Sequence, residues 1–229
     1  MRNLIIIFLA VLLSGCSVTK HLVAMNKSTD DFKTLESDPR VKYESGAEFN
    51  AKVVADNLDS AIDIIQNNHY GVFKKPVVIY VTATIGSFTS FVVNSKAGAT
   101  VLNERLFISP KKANTPERIP KLLVYELSHL YMEQYLGMWT WNSNVPSWFQ
   151  EGLAVYASGG SGAENVTVSD AKKAIVAGKM FIPNESGNFL FKKTAHSFGL
   201  TPHMFYRQAG MFVSWLHHEN NKNSNKLLL

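Results

Sequence analysis

Tyr125-Glu126-Leu127-Ser128-His129 places a phenol and an imidazole four residues apart, with a carboxylate between them. On a helix, residues i and i+4 share a face. Tyr125 and His129 would therefore stand one turn apart, with Glu126 beside that face. Four of the five positions agree with H-E-x-x-H, a spacing that carries zinc on two imidazoles and a general base between them. The first histidine is replaced by Tyr125. Twenty-one residues separate His129 from Glu151, which lies in the stretch VPSWFQEGLAVY, residues 145–156. Leu122, Leu123, Val124, Leu127 and Leu130 surround the first group, so its helix should be deeply buried. A carboxylate and an imidazole there need partners, because unpaired buried polar groups are costly.

Helices must position these residues. KLLVYELSHLYMEQYL starts near Pro120 and stops at Gly137, a proline-first, glycine-last pattern. An aromatic loop, MWTWNSNV, follows. Pro146-Ser147 opens the next helix, and Ser147 with Gln150 has capping-box spacing. Ser169 should cap a short helix to about Ala177, and Thr201-Pro202 begins a last helix through His218. Earlier in the chain, Phe49, Val53, Leu58, Ile62 and Ile65 recur at helical spacing over 47–68. VVIYVTAT after Pro76 is the strongest strand. Phe88 to Val93 reads as a strand or an aromatic-anchored loop, and residues 99–109 as another strand. Strands early and helices late predict an α+β domain: a small β-sheet packed on a mostly helical second half, with the site between two helices.

The pair YELSH and PSWFQEGLA resembles the gluzincin class of zinc metallopeptidases, which has a zincin-like fold. The likeness covers roughly residues 75–218 and is most specific in the second block. It implies that His129 ligates zinc through a neutral imidazole nitrogen and Glu151 through its carboxylate. Glu126 would be the catalytic general base, taking a proton from metal-bound water. It also implies that an extended peptide substrate adds as a strand beside residues 99–109, and that Tyr206 or His203 steadies the oxyanion. Tyr125 stands where the class has its first metal histidine, and three outcomes are open. Tyr125 ligates as a phenolate, or His196, His203 or His69 swings in, and the protein is a zinc-dependent peptidase. Alternatively the metal is lost, Tyr125 donates to Glu151 in its place, and the inactive cleft binds a peptide or protein partner in the cell envelope. In the third, only the fold is shared and the protein does something else there.

The N-terminus points to export. Arg2, ten apolar residues from Leu4 to Leu13, and then Ser14-Gly15-Cys16 form a secretory signal. Ten apolar residues are too few to span a bilayer, which needs about 20. LSGC resembles the lipobox of bacterial lipoproteins, which implies cleavage before Cys16 and a membrane lipid anchor on it. Ser17 in place of Asp is the pattern of outer-membrane sorting, facing the periplasm, in a Gram-negative envelope. The expected organisation is a signal peptide (1–15), an anchored tether (16–45), the zincin-like domain (46–218) and a frayed tail (219–229). Cys16 is the only cysteine, so packing alone must hold the domain. The formal charge is +5, spread over pairs such as Lys172-Lys173 and Lys192-Lys193 that read as solvated loop ends. No nucleic-acid motif is present. His217-His218-Glu219 reads as a favourable helix end, Trp139, Trp141 and Trp148 as packing beside a cleft, and Gly159 to Gly162 as a flexible loop.

Overall fold

The computed structural model describes residues 23–24, 26–69, 71–92, 97–112, 115–185, 187 and 192–226. Cys16 and the 1–15 segment lie outside the described residues. The protein is α+β, and its contacts divide it into two compact units.

The first unit comprises the chain up to Ala55 and Val77–Pro116. It holds a five-stranded sheet in the order β1-β2-β3-β5-β4, formed by β1 (Lys33–Leu35), β2 (Asp38–Tyr43), β3 (Ile79–Val81), β4 (Ala99–Leu102) and β5 (Arg105–Ile108). β3 is central and parallel to both neighbours, with Ile79 opposite Val41 and Leu106. Its three residues are all buried. Tyr80 stacks on Phe107 at 5.2 Å, and Phe91 stacks on Phe107 at 4.9 Å. Helix α1 (Glu48–His69) follows β2, and its residues from Asp56 onward belong to the second unit.

Three sequence expectations change here. Residues 33–43 do not belong to a tether. They form β1 and β2, and their polar composition reflects short strands in which only Val41 is completely buried. Pro39 lies ahead of the Val41–Tyr43 stretch that pairs with β3. Residues 85–91 form helix α2 (Ile85–Phe91), because Thr84 accepts a hydrogen bond from the Ser87 N–H at 3.0 Å and starts a helix despite the aromatic, β-branched content. The single strand expected over 99–109 is a hairpin. Asn103 and Glu104 adopt φ of 52° and 57°, the backbone of a two-residue turn whose twist matches its strands. β4 lies at the sheet edge.

The second unit comprises Asp56–Pro76 and the chain from Glu117. It contains α3 (Ile119–Leu136), α4 (Met138–Asn144), α5 (Ser147–Ala157), α6 (Val168–Val176) and α7 (Pro202–Lys226). Leu123, Leu127 and Leu130 of α3 are completely buried. α5 and α7 cross on glycines. A Cβ on Gly152 would lie 2.7 Å from the Ala209 carbonyl oxygen, and one on Gly210 would lie 2.5 Å from Val155 Cγ1. Arg207 on α7 latches the 158–166 loop, donating from Nε to the Val166 carbonyl at 2.8 Å and from Nη2 to the Ala163 carbonyl at 3.0 Å.

The helix ends differ from expectation in instructive ways. The aromatic loop is the short helix α4. Ser147 does not cap α5; its hydroxyl donates to the Lys193 carbonyl, and the Gln150 amide donates to the Trp141 carbonyl. α6 is capped by Thr167 with Asp170, not by Ser169. The 219–226 part of the expected tail continues α7, since no glycine or proline after Gly210 stops it. Among the described residues, no helix is long and apolar enough to cross a membrane.

Candidate functional site

Helix α3 presents Tyr125, Glu126 and His129, and α5 presents Glu151. The Tyr125 hydroxyl donates to Glu151 Oε2. His129 Nε2 lies 3.7 Å from the same carboxylate oxygen. The Tyr125 and His129 rings meet edge to face at 5.1 Å. Trp141 of α4 is buried, with its ring 6.1 Å from the His129 ring. Tyr206 of α7 brings a second phenol beside Glu151. Tyr125, His129 and Glu151 thus come together, with Glu126 on the same helix as the first two.

The seat of Tyr125 is shaped for a phenol ring. Ala154, Val155 and Ala163 pack around it. Gly162, at φ +79°, lies flat against the ring, where a Cβ would come within 3.0 Å of Tyr125 Cε2. The stretch read as a flexible loop is therefore a wall of the site, held in place by Arg207.

Protonation follows from burial and charge. Burial raises the Tyr125 phenol well above its usual range, and the Glu151 carboxylate, Tyr206 and Glu126 add to the shift. Tyr125 is therefore a neutral donor near pH 7. Tyr206 is raised for the same reasons, burial first and then Glu151 and Glu126. His129 is pushed down, mainly by burial; Glu151 opposes this and the Lys192 ammonium adds to it. Lys192 is itself lowered by burial, against the pull of Glu151. Its ammonium donates to the Asn142 carbonyl at 3.0 Å.

Lys192 is the site residue that sequence reasoning missed. Half of a lysine pair looks like a solvated loop end, and Lys193 behaves as one, pairing with the exposed Glu185. Only the fold separates the two.

A cavity of about 390 Å³ opens beside the cluster, lined by Ser147, Glu151, Thr194, His196, Phe205 and Tyr206 among others. Of the other histidines considered as substitute ligands, His196 lines this cavity and is exposed. His203 instead faces the 158–166 loop, with Nε2 3.3 Å from the Asn165 amide and Nδ1 3.9 Å from Glu164. The His69 side chain lies outside the described residues. His217 Nδ1 is 3.1 Å from the Tyr156 hydroxyl. Trp148 donates to the Pro183 carbonyl at 3.0 Å and packs in the aromatic core, while Trp139 is exposed.

The donor set offers two of the three ligands of a zinc centre. His129 and Glu151 are suitable ligands, and the third position carries the Tyr125 phenol, which here donates to Glu151. A structural or catalytic zinc takes three or four anionic or imidazole donors. Among the described residues, no three His, Cys, Asp or Glu side chains converge as a metal-binding group. The chain matches no protein-family model, no curated protein and no solved structure.

Proposed function

We propose that this chain is an exported lipoprotein, anchored through Cys16, whose zincin-like domain has exchanged its metal for Tyr125 and uses the remaining cleft to bind a peptide or protein segment. One observation carries the reading: the Tyr125 hydroxyl donates to Glu151, the carboxylate that the gluzincin resemblance gives to zinc. Gly162 supports it, because a glycine against the ring makes room for tyrosine. Glu126 and His129 then serve as buried polar partners in place of base and ligand. The cavity beside Glu151 and Tyr206 is large enough for one or two side chains of a bound segment.

A second reading, a zinc-dependent peptidase with Tyr125 ligating as a phenolate, draws on one distance. His129 Nε2 and Glu151 Oε2 are 3.7 Å apart, close enough for both to reach one ion at about 2 Å each.

Metal analysis of the purified full chain separates the two. The binding-module reading expects no zinc in the native protein and near-stoichiometric zinc in Tyr125→His. Stoichiometric zinc in the native protein, lost in His129→Ala, would overturn it.

A further inference from the structure

A second surface, distinct from the Glu151 cavity, has its own chemistry. Ile175, Met180, Phe181, Met211, Phe212 and Trp215 line an apolar groove of about 320 Å³ along α6, the 180–183 segment and α7. Around it Val176 is 89% exposed and Trp215 54% exposed, and Met180 and Ile182 are also exposed. Solvated apolar groups this close together and this large are unusual for a surface with no partner.

Hydrogen bonds tie the groove's walls together. Gln208 is also part of its lining, but its amide is consumed: Nε2 donates to the Lys179 carbonyl at 2.9 Å and Oε1 accepts from the Phe181 N–H at 3.3 Å. Trp148 holds the Pro183 carbonyl from below. Phe212 and Trp215 stack at 5.6 Å. The Gln208 amide is therefore engaged at both ends, and the lining that remains is apolar apart from the Trp215 indole N–H.

The α6 side of the groove is rich in lysine, while on α7 Glu219 follows Trp215 by four residues. Lys172, Lys173 and Lys179 are exposed. Lys172 stands three and four positions before Ile175 and Val176, on the same face of α6. Between Val168 and Glu185 the only acids are Asp170 and Glu185. Asp170 is spent on the α6 capping box, within reach of Lys173, and Glu185 is paired with Lys193. Exposed tryptophan, methionine and aliphatic side chains rimmed by lysine are the chemistry of a surface that dips into the headgroup layer of an anionic bilayer.

We propose that this face docks on an anionic lipid surface, with Trp215, Val176 and Met180 entering the interface and Lys172 and Lys179 meeting lipid phosphates. A lipid on Cys16 would raise the effective concentration of the face at the membrane, but the proposal does not depend on it.

The four tryptophans make the test direct, since none lies in the N-terminal 138 residues. The full chain is reconstituted into phosphatidylcholine vesicles, with or without phosphatidylglycerol, carrying brominated acyl chains that quench only tryptophans reaching them. Quenching in the anionic vesicles is expected, and Trp215→Phe should remove most of it. Replacing Lys172 or Lys179 by glutamine should lower the docking equilibrium about five-fold each. Equal quenching in the parent and in Trp215→Phe would overturn the proposal. So would an unquenched Trp215 in a chain that self-associates through this face, or one shielded from a soluble quencher by an added protein but not by vesicles. The metal content of the Glu151 site bears on neither result.

Discussion

Tyr125→Phe isolates the contact on which the functional reading rests. The substitution keeps the ring that fills the space between Gly162 and the small side chains of α5, so no cavity opens. It removes one hydroxyl, and with it the hydrogen bond to Glu151. A hydrogen bond to a charged group contributes about 1.5–3 kcal/mol. The Glu151 side chain keeps 24% of its surface exposed, so water can take the vacated lone pair, and the loss should fall near 1.5 kcal/mol. In a protein of this size that is about 3–6 °C in Tm. All four tryptophans lie in the second unit, so intrinsic fluorescence in urea follows the unfolding of the unit that carries the site. The midpoint should fall with little change in slope. A midpoint equal to or above that of the native chain would refute the idea that the phenol satisfies Glu151, and would return Tyr125 to simple packing.

Two further outcomes follow from the same cluster. His129 is depressed in the folded chain relative to its ordinary value of about 6.5, so the unfolded chain binds the proton more readily. Stability should therefore hold above about pH 6.5 and decline as the pH falls from there toward the folded pKa; His129→Gln should flatten that limb in urea titrations, and an unchanged profile would refute the assignment. Gly162→Ala combines a left-handed φ of +79° with a Cβ 3.0 Å from the Tyr125 ring, so it should cost about 1–3 kcal/mol, measured by the same urea midpoint. A second variant, Gly162→Ala with Tyr125→Ala, should recover the steric part of that cost.

The site was legible in the sequence because its spacing is helical. Tyr125, Glu126 and His129 needed only one helix, and Glu151 a second helix after a short connection. The helical spacing reached only the first three; Glu151, and the hydrogen bond it accepts from Tyr125, were expected from the resemblance carried by PSWFQEGLA. Lys192 and Gly162 were not, because each acts through a loop whose path depends on tertiary contacts: Arg207 for one, the Asn142 carbonyl for the other. The strands β1 and β2 were hidden by polarity, since a short strand with one completely buried residue leaves no periodicity to detect. The reading of Phe88 to Val93 as strand or loop failed over 88–91 for a different reason: a threonine cap at Thr84, which is local chemistry, outweighed the strand preference of the residues that follow it.

The glycine crossing of α5 and α7 sets a tolerance as well as a packing density. Glu151 immediately precedes Gly152, and Tyr206 stands three residues before Ala209, whose backbone Gly152 touches. The spacing between that carboxylate and that phenol is thus gauged by a close backbone approach, flanked by the Val155 and Val213 side chains. One methyl group at Gly152 would act as a shim, thickening the joint and moving the acid away from its neighbour on α7, although neither residue had been altered.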